Sequence, residues 1–501
     1  MRHRACIVLL CGFLSLGCRM DSEVIAPGQG TVSATANPQV ALYSFVVSRS
    51  ASVAIEFGTD TTYGLHTWAQ STPGGQPVRI LVAGMKAHTT YHMRADATFA
   101  DGTQYFDVDH TFTTGGLPAH RIPQITATNP NGLTPSPGVV LFHLWPGTSN
   151  QINVGAVDMG GNLIWYYDYD PSLGQPEPVK LLPNGHMLML LSIAGVREVD
   201  LAGNIISQFT GGDVSNWLSA AGFNLTLVGL THDILPLPNG HLILLASHTK
   251  NFTDLPGYPG VTAVAGDELI DLDQNRKPVW VWDTFDHLDI NRHPMYFPDW
   301  THANAVVYSP DDGDLVLSMR HQSWVIKIDY ANGSGTGNIL WRLGYQGDFT
   351  LTNGDLTDWF SAQHYVNFVS PNTAGIAELA VFDNGDNRVL DAAGNVCGAA
   401  GQPPCYSRVP IFQIDEVEKT ATLLWQDNLS PVYSFWGGSV QQMENNNVVF
   451  GETTPSDNLT GARYLEVTHD PVPEVVLHLE VFGQNSYRSV HLPSLYPGVQ
   501  W

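Results

Sequence analysis

The sequence predicts an all-β chain: a β-sandwich followed by a β-propeller of about six repeats. Three observations lead there. Glycine (48) and proline (32) are frequent, which suits many short strands joined by turns better than long helices. A strand–turn–strand phrase recurs, as "VKLLPNGHMLMLL" (Val179–Leu191), "ILPLPNGHLILLA" (Ile234–Ala246) and, more loosely, "VVYSPDDGDLVLS" (Val306–Ser318). A second phrase, an aspartate or glycine–asparagine turn running into an aromatic strand, recurs as "VDMGGNLIWYYD", "VDLAGNIISQF", "IDLDQNRKPVWVW", "IDYANGSGTGNILWRLG" and "IDEVEKTATLLWQD". A last variant is "VTHDPVPEVVLHLEVFG". Fixed-order repetition of short antiparallel strands is the mark of a propeller. The spacing exceeds the ~40–50 residues usual for such repeats, so some blades carry insertions. A stack of separate sandwiches is the alternative.

The chain opens "MRHRACIVLLCGFLSLGCRM". Arg2 and Arg4 precede an apolar run too brief to span a bilayer, the pattern of an export signal. Its end, "LSLGC", resembles a bacterial lipoprotein signal over residues 1–18, with Cys18 the lipidated first residue of the mature chain. Ser15 departs from that pattern, and an ordinary cleaved signal is the alternative. Arg19 after the cysteine favours, by the same resemblance, the outer membrane over inner-membrane retention. The expectation is an exported protein, periplasmic or anchored to the outer membrane, touching lipid only through that anchor.

Residues 26–116 show short alternating strands with turn punctuation, and "GMKAHTTYHMRADAT" with "TFTTG" resembles a fibronectin type III-like sandwich. Residues 117–138 are rich in proline, glycine and asparagine and read as a linker; the propeller takes 139–501. Cys397 and Cys405 sit in "NVCGAAGQPPCYS", where an exported protein is expected to close a short disulfide loop. With two thiols and no histidine, that loop is a poor metal site.

Hydrophobic residues make up 43% and charged residues 14%, the balance of a well-buried globular protein. A net charge of −25 argues against nucleic acid, which needs a basic face. An anionic substrate would need a local cluster of positive charge.

Such a cluster is encoded. Three repeats place a histidine at the start of a hairpin: His232 in "THDILPLPNG", His302 in "DWTHANAVVYSP" and His364 in "SAQHYVNFVSPN". The first strand of every propeller blade lines the central channel, so matched positions converge on one axis. Alternation puts Asn304 on the face of His302. On the return strand Val316, Ser318 and Arg320 share a face, with Arg320 reaching the channel mouth. One histidine before a strand is ordinarily a turn residue; three at matched positions with an arginine point to a site. His186 and His241 follow the turns and read as peripheral, and His321 is expected to point away. Three histidines can hold zinc, and Asp233 and Asp299 keep that option open, but the Arg320 guanidinium disfavours a dication. Arginine with histidines suits a tetrahedral oxyanion, because its fork supplies paired charge-assisted hydrogen bonds.

The segments "LTHDILPLPNGHLIL", "DWTHANAVVY", "LVLSMRHQSWVIKID", "FSAQHYVNF", "LAVFDNGDNR" and "SYRSVHLPSLYPG" resemble the bacterial arylsulfate sulfotransferases over most of residues 139–498. The resemblance implies a six-bladed propeller behind an N-terminal β-sandwich, with transfer of sulfate between phenols that needs no nucleotide donor, cofactor or metal. It implies that His364 becomes sulfated, with His232, His302 and Arg320 at sulfate-binding positions and Asn304 as a neighbour. Arg388 in "DNGDNR" either supports the site or pairs with Asp383 or Asp386. Trp300, Tyr365, Phe360 and Trp436 either line a phenol pocket or belong to the core. The implied partners are small phenolic donors and acceptors; homodimerisation is left open. A sulfate or phosphate ester hydrolase, or a non-catalytic binding propeller, are the rival classes.

Overall fold

Both recurring phrases fold as parts of a blade. A computed structural model describes residues 29–118, 121–145, 151–427 and 432–501; the leader with Cys18 lies outside them. The first phrase forms the inner hairpin of a blade, pairing Pro176–Leu181 with Met187–Leu191, Leu227–Pro236 with Leu242–Leu255, and Ala303–Ser309 with Asp314–Met319. The second forms the turn into the outermost strand. There an aspartate side chain stands in for missing backbone partners. Asp158 Oδ1 accepts from the N–H groups of Gly160 and Asn162, and Asp200 Oδ1 accepts from Asn204, each at 2.9 Å.

Six sheets result. Blades two to four are four-stranded and consecutive in sequence: Pro176 to Phe209, Leu227 to Asp283, and Ala303 to Leu343. Blade five runs from His364–Thr373 through Ile376–Phe382 and Pro410–Asp415 to Thr420–Gln426, with Thr350–Leu351 added in parallel at its edge. Blade six spans Ser439–Gln442 to Val475–Phe482. Blade one takes its three outer strands from Val139–Trp145, Val154–Asp158 and Leu163–Tyr167, and its innermost strand from the C-terminal Asn485–Leu492. That strand closes the ring, so no sheet edge is left open at the seam. The six inner strands then lie side by side around one axis.

Apolar clusters fill the seams between successive blades. Middle strands are therefore buried on both faces, as Met187–Leu191 and Asp314–Met319 are along their full length. This explains why they read as unbroken apolar runs rather than alternating ones.

At the N-terminal end, a three-stranded sheet (Thr31–Ala34, Ala41–Val46, Pro77–Val82) faces a six-stranded one led by Ala51–Gly58 and Thr90–Phe99. Tyr43, Phe45, Ile55, Phe57, Ile80 and Met93 fill the space between them. The chain's end ties this sandwich to the ring: the Tyr496 hydroxyl accepts from the Ala83 N–H at 2.7 Å and donates to the Leu81 carbonyl at 2.9 Å.

One expectation changes. Part of the expected linker, Gln124–Thr128, is a strand that pairs with Val475–Phe482 at the outside of blade six. The extra length of the repeats lies in the long hairpin Leu242–Leu255/Tyr258–Leu272 and in an excursion of blade five, which the Cys397–Cys405 disulfide closes. Among the described residues no helix is long and apolar enough to cross a membrane.

Candidate active site

The inner strands bring His232, His302 and His364 to one end of the channel. His232 and His302 are 4.8 Å apart between ring centroids, and the Tyr487 ring lies 6.1 Å from His232 and 6.2 Å from His364. The backbone bends sharply at these positions. His232 (φ 56°) and His302 (φ 49°) occupy the left-handed region, and His364 lies between Ala362 (φ 54°) and Tyr365 (φ 53°). Such conformations cost energy in non-glycine residues and cluster at functional sites.

His364 is held in one tautomer. The Asn384 Nδ2 group donates to the carbonyls of Ser434 (2.7 Å) and Gly437 (3.1 Å), which leaves Asn384 Oδ1 to accept from His364 Nδ1 at 2.7 Å. The His364 Nε2 lone pair therefore points into the site, where the Gly437 N–H approaches it at 3.3 Å. Burial, and then the nearby Arg320 charge, hold this imidazole well below its usual range, so it is neutral. His232 is likewise neutral, by burial and the neighbouring His302 and Arg488.

Arg320 joins the group from blade four. Its Nη1 donates to His321 Nε2 at 2.7 Å, and its Nη2 donates to Asp386 Oδ2 (2.7 Å) and the Phe435 carbonyl (3.0 Å). Its Nε is buried without a hydrogen-bond partner among the described residues. The loop holding Phe435 and Gly437 thus touches both the guanidinium and His364. Burial pushes the Asp386 carboxyl up to about 6, against the pull of Arg320.

His321 corrects the sequence reading. Its ring packs at a tilt against His302, with centroids 4.4 Å apart, instead of pointing away. The strand ends at Met319 and Arg320–Gln322 form a 3-10 turn, so strand alternation stops one residue too early for the expected geometry. The His321 Nδ1 group donates to the Asp299 carbonyl at 2.6 Å, leaving Nε2 as the acceptor for Arg320.

Asn304 and Arg388 do not behave as expected of substrate contacts. Asn304 is fully buried and its Nδ2 donates to the Gln363 carbonyl at 2.8 Å, stitching blade four to the residue before His364. Arg388 is clamped by Asp383 Oδ2 (2.6 Å) and the carbonyls of Trp359 and Tyr406 (3.1 Å each), which is the structural pairing of the two alternatives. Trp300 stacks on Phe285, and Phe360 belongs to the seam between blades four and five. Tyr365 lies under the Arg488 guanidinium. Of the four aromatic candidates, Trp436 comes nearest the histidines through Tyr487, on which it stacks at 6.5 Å, and it packs at a tilt against Trp145 at 4.6 Å.

The structure adds residues the sequence reading passed over. Tyr487 is buried with a hydroxyl that has no hydrogen-bond partner among the described residues. Arg488 beside it donates to the Asn304 carbonyl at 2.7 Å and pairs with Asp233 at 3.4 Å, joining blades one, three and four at the axis. Both come from "SYRSVH", and the signal for them was that a ring-closing strand must line the channel. Glu177 accepts from the His232 N–H, and Asp267 accepts from the Ala303 N–H (2.7 Å) and the Thr301 hydroxyl (2.5 Å). Asp299, His302 and His321 lie close enough to share a cation, but the Arg320 guanidinium already occupies the other nitrogen of His321.

Glu177 and Asp267 have no ion pair among the described residues. Burial pushes Glu177 up to about 7 and Asp267 up to about 6, whereas both titrate near ~4 in an unfolded chain. Between those values the folded protein keeps protons that the unfolded chain has lost, so stability falls as pH rises through this window. The melting temperature is expected to be higher at pH 5 than at pH 8, and Glu177→Gln to flatten the decline. A melting temperature that climbs across this interval, or a Gln variant with an unchanged slope, contradicts the assignment.

Residues 136–488 match the protein family described as Arylsulfotransferase (ASST). The chain is similar to the arylsulfate sulfotransferase AssT of Escherichia coli, 23% identical over 291 residues, covering 44% of each chain. It is similar to the enzyme of that name from Lelliottia amnigena, 23% identical over 388 residues, covering 63% of this chain and 59% of the relative. These matches span less than two thirds of either relative. Among solved structures, a variant of Synechocystis apocarotenoid oxygenase aligns over 93% of this chain and 96% of its own, at 10% identity and a TM-score of 0.29, too distant to carry an argument.

Proposed function

The chain belongs to the arylsulfotransferase family, and from that premise we propose that it moves a sulfuryl group from an aryl sulfate to a phenol through a sulfated His364. One observation carries this reading: the buried, neutral imidazole whose Nδ1–H is held by Asn384. The lone pair on Nε2, which accepts from the Gly437 N–H at 3.3 Å, is then the one that attacks once substrate displaces that contact.

In the first half-reaction His364 Nε2 forms a bond to sulfur as the sulfur–aryl oxygen bond breaks, and the electron pair leaves on the phenolate. Because Nδ1 keeps its proton, the ring becomes cationic while sulfated, and Asn384 Oδ1 accepts from that charged N–H. A cationic ring is a good leaving group, so the intermediate passes its sulfuryl group readily to a second phenol. His302 suits the base for that step. Its Nδ1 donates to Asp299 Oδ2 at 2.7 Å, which orients Nε2 as an acceptor in the manner of a carboxylate-braced histidine. Arg320 offsets charge on the sulfuryl oxygens. The Tyr487 ring beside His364, with Trp145 and Trp436 packed on it, offers an aromatic surface for a phenyl ring.

The test is intact-mass analysis after brief exposure to a chromogenic aryl sulfate, with and without phenol. The expected result is one added sulfuryl group on His364, discharged by phenol to give an aryl sulfate product. Discharge by water at the same rate, with no sulfated phenol, selects the hydrolase instead. Absence of any adduct together with absence of turnover removes catalysis altogether.

A further inference from the structure

On the opposite face of blade three from His302, a second cluster has no part in the reaction above. His248, Glu268 and Asp283 come from three adjacent strands: Glu268 pairs with Asp283 across one ladder and with Ala246, two residues before His248, across the other. One potential ligand atom from each lies within 4.8 Å of the other two. His248 Nε2 is 3.0 Å from Asp283 Oδ1, and His248 Nδ1 is 3.3 Å from Glu268 Oε1.

The Glu268 carboxylate is the anomaly. It is fully buried, yet neither oxygen has a hydrogen-bond partner among the described residues. A buried carboxylate so placed is costly unless a cation or donors satisfy it. The His248 contact to Oε1 falls outside hydrogen-bond geometry and leaves Oε2 unserved. Asp283 Oδ1 also accepts from the Phe285 N–H at 2.8 Å, which fixes that carboxylate in place while leaving Oδ2 available.

We propose that His248, Glu268 and Asp283 bind a divalent transition-metal ion, zinc being the best fit. One imidazole nitrogen and two carboxylate oxygens are the donor types zinc takes, with water in the fourth position. Calcium and magnesium prefer a shell of oxygens. Two carboxylates balance the charge of a dication. Binding replaces the two imidazole–carboxylate contacts, as one ring nitrogen turns to the ion. A side-chain cation near the cluster is Lys250, whose ammonium lies 5.6 Å from the centre of the Phe285 ring, itself packed on His248. Glu268 is preceded by Asp267, whose side chain braces the residues on either side of His302. An ion at Glu268 would stiffen the strand that carries this brace, making the site a structural support for the reaction centre.

The experiment uses the full chain stripped with chelator and titrated with zinc chloride, then with manganese chloride. Metal per chain is counted by native mass spectrometry, and melting is followed in parallel. The expected result is one zinc per chain and a melting temperature that rises with zinc concentration. Glu268→Gln and His248→Gln should each weaken binding by more than the ~10–100-fold typical of losing a supporting group around a metal. Asp299→Asn should keep the ion, which separates this cluster from the one at Asp299, His302 and His321. No stoichiometric zinc on the wild-type chain overturns the proposal, as does loss of the ion in Asp299→Asn with retention in Glu268→Gln. Neither result bears on His364, so the proposal and the transfer reading fail independently.

Discussion

His364→Ala is expected to lower kcat for aryl-sulfate turnover by on the order of 10⁶-fold, the loss seen when a catalytic unit loses its nucleophile, and to abolish the sulfuryl adduct. On the proposed mechanism the substitution removes the acceptor of the sulfuryl group while leaving His232 and Arg320 to bind the anion. Substrate affinity should therefore change far less than turnover. The fold survives at a modest cost. Asn384 Oδ1 is left buried without its donor, a penalty of about 1–3 kcal/mol, against seams and a ring closure that do not involve this side chain. Melting temperature and aryl-sulfate binding read out the fold and the anion site, and kcat reads out the nucleophile. Turnover that persists at the wild-type rate would sink the assignment, and a variant that no longer binds the aryl sulfate would mean that His364 serves binding instead.

The ring and three of the site's histidines were legible because their signals are local and repeated. An aspartate that folds its own turn, as Asp158 and Asp200 do, betrays itself within five residues, and repetition aligns the turns into blades. His232, His302 and His364 then stand out because they occupy matching places at the inner strands. What stayed hidden reaches the site from a different blade or from an insertion. Asn384 follows the second strand of blade five and is fixed by carbonyls of Ser434 and Gly437 beyond the disulfide excursion. Asp386, which restrains Arg320, lies 66 positions along the chain from it. His321 was misjudged for another reason: periodicity says which face a strand residue takes but not where the strand stops. The His248, Glu268 and Asp283 cluster was invisible for the first of these reasons, since its members meet only through ladder register.

Arg320→Lys is expected to lower kcat by ~10²–10³-fold, the usual cost of losing one donor set from a developing oxyanion, despite keeping a positive charge. The guanidinium spends Nη1 on His321 and Nη2 on Asp386 and the Phe435 carbonyl. The protein has thereby fixed the plane of the fork before any substrate arrives. Of its five N–H groups, the second on Nη1 and the buried Nε have no partner among the described residues, and these are the groups with a hydrogen bond to offer a sulfuryl oxygen. A lysine ammonium could satisfy Asp386 but has no second, rigidly placed donor to present. The charge would be kept and its aim lost. Because sulfuryl oxygens gather charge most strongly as the sulfur changes partners, the defect should appear in kcat more than in KM. Asp386→Asn separates aim from charge: it keeps the guanidinium but loosens its anchor, and should lower kcat by less than Arg320→Lys does. Equal kcat in wild type and Arg320→Lys would show that bulk positive charge suffices and that the fork has no role in the transition state.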